Sequence, residues 1–156
     1  MADLVLQRNV GALGALKRLS AAAAATAAST GDSTTTTGAT IDRFGFSGGA
    51  RPDSLALGVA WDATLATDKT LSIGYAVQDS PDGSNWSDYQ TATYAAVATG
   101  STAASVAAGM FEASVNLTSA RRYVRANFAI DLSATQTDTA VARAVGWFGG
   151  FDKLPQ

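Results

Sequence analysis

The chain has 156 residues, a formal charge of −2, and neither cysteine nor histidine. Those absences remove disulfides, thiolate chemistry, Cys- or His-based metal sites and the commonest general base. With one glutamate, Glu112, and a single tight basic cluster, Arg121, Arg122 and Arg125, an acid–base enzyme and a nucleic-acid binder are both disfavoured.

The first forty residues read as an appendage. Met1 to Thr40 carries an alanine run, Ala21–Ala25, and a threonine run, Thr34–Thr37, with no aromatic residue. Its apolar anchors are thinly spaced: Leu4, Leu6, Val10, Leu13, Leu16 and Leu19. Such a segment buries too little apolar surface on its own to offset the entropy of ordering it. The expectation is an extended low-complexity arm over residues 1–40, held by a partner, and a β-sandwich body over residues 41–156 that stays folded when the arm is deleted. Leu6, Val10 and Leu13 also fall at helical spacing, against which Gly11 and Gly14 count. Ala21–Ala28 is too short and too weakly apolar to cross a membrane, so no membrane partner is expected.

After Ile41 the pattern has period two. Leu55, Leu57, Val59 and Trp61 alternate with small residues, as do Leu71, Ile73, Tyr75 and Val77. Phe111, Ala113, Val115 and Leu117 repeat it. Val124, Ala126, Phe128 and Ile130 follow, with Tyr123, Arg125 and Asn127 on the other face. Val141, Val145 and Trp147 close the series, with Arg143 interrupting. These are half-buried strands. Ser80-Pro81-Asp82-Gly83 fits a type I turn followed by a left-handed glycine, joining two strands as a hairpin. Ala95–Met110, rich in alanine, glycine and threonine, reads as a long loop and a second contact candidate. The fold class expected is all-β: an antiparallel β-sandwich, jelly-roll type, with an extended N-terminal arm.

Asp79, Asp82 and Asp88 surround the hairpin turn. They do not follow the EF-hand spacing, and turns favour aspartate because it caps its own backbone. No metal site, cofactor or catalytic set is assigned. Trp61, Trp86 and Trp147 are expected in core packing rather than on a carbohydrate platform. Arg121, Arg122 and Arg125 open a strand. With Leu4, Leu6, Val10, Leu13 and Leu16 they form the candidate partner-binding set, since arginine is enriched at interfaces.

The hairpin Val77 to Tyr89, with its Asp-Gly-Ser-x-Trp turn, and the later Arg122-Tyr-Val-Arg125 strand together resemble the capsid cement (decoration) proteins of tailed bacteriophages. The resemblance spans roughly Thr40 to Phe148. It implies a non-enzymatic jelly-roll domain on the outer surface of the virion, bridging neighbouring subunits of the major capsid protein. A homo-oligomer at a capsid symmetry axis is expected, a trimer before a dimer. The same two motifs also resemble discoidin-type carbohydrate-binding modules. That is the alternative reading, in which residues 1–40 have no role.

Overall fold

The computed structural model describes residues 13–133 and 137–153. Ten strands run through them: β1 (Ala15–Arg18), β2 (Ala23–Thr26), β3 (Thr35–Thr36), β4 (Ile41–Asp42), β5 (Pro52–Leu65), β6 (Thr70–Ser80), β7 (Ser87–Thr99), β8 (Ser105–Asn116), β9 (Tyr123–Leu132) and β10 (Thr139–Phe151). All named pairings are antiparallel.

Two sheets pack face to face. The first has the order β1-β10-β5-β8, with β2 also on β10; the second has β3-β9-β6-β7, with β4 also on β9. β1 and β2 lie end to end along one side of β10, and β3 and β4 do the same along β9. Counting each broken pair as one strand leaves a first–last–third–sixth order in one sheet and second–seventh–fourth–fifth in the other. That is jelly-roll connectivity.

The separation at residue 40 does not survive this topology. Residues 15–36 supply the opening strands of both sheets, so an extended arm does not describe them, and a chain cut at Thr40 lacks these opening strands, leaving only β4 on β9. The density argument fails because the segment is never alone. Leu19 is 1% exposed within the core, beside buried Ala25 and Ala27. Small side chains let the segment lie close to its neighbours, and β-branched threonine suits extended backbone. Where the segment breaks, side chains complete the ladder. Ala144 N donates to Ser20 Oγ at 2.8 Å, and Ala144 O accepts from the amides of Leu19 and Ser20. On the other sheet, Gly38 N donates to Asn127 Oδ1 at 3.0 Å. Leu4, Leu6 and Val10, with the helical spacing around them, lie outside the described residues.

The core is built from the expected alternation. Leu55, Leu57, Val59 and Trp61 of β5 face Leu71, Ile73, Tyr75 and Val77 of β6 and the buried phase of β9. β10 departs from expectation. Its buried phase is Ala140, Ala142, Ala144 and Phe148, so Val141, Val145 and Trp147 point away from the core. Trp61 is buried as expected, whereas Trp86 and Trp147 are half-buried at the surface. The stretch Ala95–Met110 is not a loop either. It holds the end of β7, a turn through Gly100–Ala104 and the start of β8. Both halves follow an edge of an existing sheet, so backbone pairing, not side-chain anchoring, orders them.

Arg43 ties the corner below the sandwich. It is 2% exposed, and its guanidinium donates to the carbonyls of Pro52 and Ala120 and to Asp53 Oδ1 at 3.0 Å. A buried guanidinium is tolerated only with such partners.

Gly38 crosses β9 so closely that a Cβ would sit 2.1 Å from Ala126 O. Gly38→Ala is expected to lower stability by about 1–3 kcal/mol, the range for forcing extra atoms into packed structure. Denaturant unfolding measures it, and an unchanged midpoint would contradict this crossing.

Candidate functional site

The two sequence motifs meet in space. The β6–β7 hairpin tip lies against the start of β9, through Asp79↔Val124 and Ser80↔Tyr123. The turn is held by one carboxylate. Asp82 Oδ1 accepts from the amides of Asn85 (2.8 Å) and Ser84 (2.9 Å) and from Ser80 Oγ, while Oδ2 accepts from the Asn85 side chain. Those bonds, the Asn85 and Ser84 amides foremost, hold its carboxyl well below the usual carboxylate range. Gly83 takes the left-handed conformation expected of it, with φ of 76°.

Each arginine of the motif has an internal partner. Arg121 N donates to Asp79 Oδ2 at 2.8 Å, and its guanidinium reaches Ser87 Oγ. Arg122 pairs with both oxygens of Asp42, at 3.1 and 2.7 Å, and lies over the rings of Phe44 and Tyr123. The side-chain bond from Arg122 comes first among the causes that lower the Asp42 pKa. Arg125 donates to Gln78 Oε1 and sits 4.2 Å above the Trp86 ring. One face of Trp86 is therefore covered by a cation. Asp88 accepts from Gln78 Nε2, so the three turn aspartates make separate contacts. Among the described residues no group of three or more acidic side chains is placed to hold a metal ion, and no helix is long and apolar enough to cross a membrane.

The remaining candidates lie elsewhere. Leu13 and Leu16 flank the outer face of the first sheet, where Leu16 is 66% exposed. That face carries Trp147, Val145 and, from β8, Met110 and Val106, the last two 53% and 82% exposed. Two adjoining depressions of about 750 and 620 Å3 share Trp147. The structure thus separates the candidates into an arginine cluster at the hairpin and, one sheet away, a face where Leu16, Val145, Trp147 and Met110 stand among Arg18, Arg143 and Glu112. The sequence reading missed this face because it assigned the larger phase of β10 to the core. Arg143, in the same phase as Val141, Val145 and Trp147, was the available signal that this phase faces outward.

The free edges are a second feature that alternation did not reveal. β7 and β8 end their sheets on the same side of the sandwich. Tyr89 and Gln90 bridge them near the hairpin, donating to the carbonyls of Asn116 and Ser114. Beyond that point β7 is exposed from Thr91 to Ala96.

The chain matches no family model, and no curated protein matches it. Distant structural likenesses exist. The VP2 subviral particle of infectious bursal disease virus gives a TM-score of 0.46 at 14% identity, over 86% of this chain and 32% of that one. The Gx strain of the same virus gives 0.44 at 12%, over 90% and 34%. Dimeric latent PorU from Porphyromonas gingivalis gives 0.43 at 8%, over 88% and 12%. This chain spans about a third of the viral chains. With TM-scores below 0.5, the fold rests on the strand pairing above and not on these neighbours.

Gly83→Val is expected to cost about 1–3 kcal/mol, the strain of a β-branched residue at positive φ, read from the denaturant midpoint. The depressed Asp82 pKa makes its contribution to stability present above the ordinary value near 3.8 and lost as pH falls through the lower folded value. Carboxyl NMR should therefore find Asp82 still ionised at about pH 3, below its reference value. Protonation at the ordinary carboxylate pH would contradict the turn geometry.

Proposed function

We propose that this chain is a non-enzymatic structural protein of a virion, a cement protein that sits on the outside of a phage head and bridges subunits of the major capsid protein. The observation that carries the reading is the pair of bare edges. β7 and β8 run 13 and 12 residues with no lysine, arginine or proline between them, and their only charges are Asp88 and Glu112. Long edges with so little charge invite strand addition and are normally blunted in a solitary protein; β7 shifts register where it pairs with β6, whereas β8 pairs with β5 without a shift. In an assembly component they are the contact. The resemblance of the hairpin and Arg-Tyr-Val-Arg strand to decoration proteins adds the kind of assembly. The arginine over Trp86 counts against a sugar-stacking platform.

In this mechanism each copy spans a joint between shell subunits, and opening the joint breaks its contacts as well. Self-association, a trimer before a dimer, multiplies weak single contacts into firm attachment.

The test adds the purified chain to undecorated heads of tailed phages and compares it with the double variant Ala96→Lys, Ala108→Lys, which charges both edges at exposed positions. Wild-type chain should decorate the heads and raise their opening temperature. The variant should stay folded and bind at least about tenfold more weakly, a loss near 1.4 kcal/mol. If the wild-type chain binds no shell, the cement reading fails. Binding to a glycan array in that case moves the discoidin-like reading ahead.

A further inference from the structure

We propose that the free edge of β8 pairs with the same edge of a second copy, antiparallel and about a two-fold axis at Gly109. The inference rests on the bare edges that carry the cement reading and assigns one of them, leaving β7 for other contacts. A two-fold axis makes the unit a dimer, where the resemblance alone puts a trimer first.

The two edges are not equivalent. β7 shifts register against β6 between Leu71 and Ser72, between Ile73 and Tyr75 and between Val77 and Gln78. Such irregularities turn an edge away from an incoming strand. β8 pairs with β5 without a shift from Asn116 to Ser105, so it is a regular template.

The ladder fixes which main-chain groups face outward. Leu117 N donates to Asp53 O at 2.8 Å, one step beyond the Ser54↔Asn116 pair. Antiparallel pairs alternate between those that exchange both main-chain bonds and those that exchange none. Odd-numbered residues of β8 therefore bond to β5, and even-numbered ones turn their N–H and C=O groups to the free edge. Two side-chain contacts agree: Tyr89 Oη donates to Asn116 O at 2.6 Å, and Gln90 Nε2 donates to Ser114 O at 3.2 Å. Beyond these bridges stand Val106, Ala108, Met110 and Glu112, all exposed.

One register uses all four at once. With Gly109 opposite Gly109 of the second copy, Val106 faces Glu112 and Ala108 faces Met110 on both sides of the axis, and about eight main-chain bonds form. A shift of two residues sets one of the four against Ser114, whose carbonyl Gln90 already holds, or against Ala104, which lies past the end of β8 with φ of 58°. Charge commits the occupant to a second copy. Glu112 is the only charge on β8. In this register it meets Val106 and stands about 20 Å from the other glutamate, so identical edges join with no like charges opposed. Val106 and Met110, 82% and 53% exposed, each gain a cross-strand neighbour. The edge holds no pattern of charges that would select a different strand.

Sedimentation equilibrium of the full chain and of its Ala108→Pro variant reads the association. Proline at an edge position whose N–H faces outward leaves the β5 ladder intact and removes one donor on each side of the axis. The wild-type chain should be a dimer. Ala108→Pro should raise its dissociation constant at least about tenfold, while Ala96→Lys on β7 leaves it unchanged, with circular dichroism confirming an intact sandwich. The absence of native cysteine allows the register to be read as well. Chains carrying Val106→Cys are mixed with chains carrying Glu112→Cys and treated with a bifunctional thiol reagent spanning about 5 Å, the separation of facing side chains. The mixture should cross-link, and neither variant alone should do so. If Ala108→Pro does not fold, the cross-link decides. A wild-type chain that is monomeric or trimeric overturns the proposal, as does a dimer that survives Ala108→Pro or a mixture that does not cross-link. No shell is present in either measurement, so a monomeric chain that still decorates heads sinks this proposal and leaves the cement reading standing.

Discussion

The sandwich depends on one closure: residues 15–42 pairing with the last two strands. β10 and β9 are the second strands of their sheets, and each has a body strand on only one side. The opening segment supplies the other side of both, passing from one sheet to the other between β2 and β3. Without it the alanine phase of β10 would have no Leu19, Ala25 or Ala27 beside it, and the outer ladder of β9 would meet water. Asp32 shows how finely the closure is fitted. One oxygen accepts from Leu132 N and the other from Ala28 N, joining the segment to β9 and to itself.

This closure makes the two flanks of the molecule unlike. On one, short broken strands rich in alanine, glycine and threonine cover the central strands, with Ser20 and Asn127 filling the gaps in the ladders. On the other, β7 and β8 are long and uncovered beyond the Tyr89 and Gln90 bridges, β7 with register shifts in its pairing to β6 and β8 without. Edge protection has been concentrated on one side. A protein selected to remain solitary gains nothing from that imbalance, while a component that joins others along one flank uses it directly.

Much of the body was legible in the sequence. β5, β6 and β9 alternate in sequence because one face meets the core, the outer phases of β6 and β9 being half-buried or buried, and Ser80–Gly83 carries turn chemistry that depends on local geometry alone. The misread parts are those whose order comes from elsewhere. Residues 15–36 have low apolar density and gain their burial from strands more than ninety positions away. Ala95–Met110 has few anchors because edge pairing needs only backbone. In β10 the two phases could not be ranked by hydrophobicity, since small alanines were required where the opening segment approaches closely. The arginine cluster was found as a motif, but its partners, Asp42, Asp79, Gln78 and Trp86, come from three other segments that no spacing rule connects.

The position of β10 has a consequence for synthesis. The last of the ten strands lies inside its sheet, bonded along its length to β5 on one side and to β1 and β2 on the other. A ribosome delivers it after the other nine. Until then β1 and β2 have no partner and β5 has only β8, so one sheet waits on β10 while β6, β7 and β9 can already pair. Contacts so distant in sequence favour slow, late assembly. During that interval the Ala21–Ala25 and Thr34–Thr37 runs, poor in large apolar side chains, present little for other nascent chains to hold.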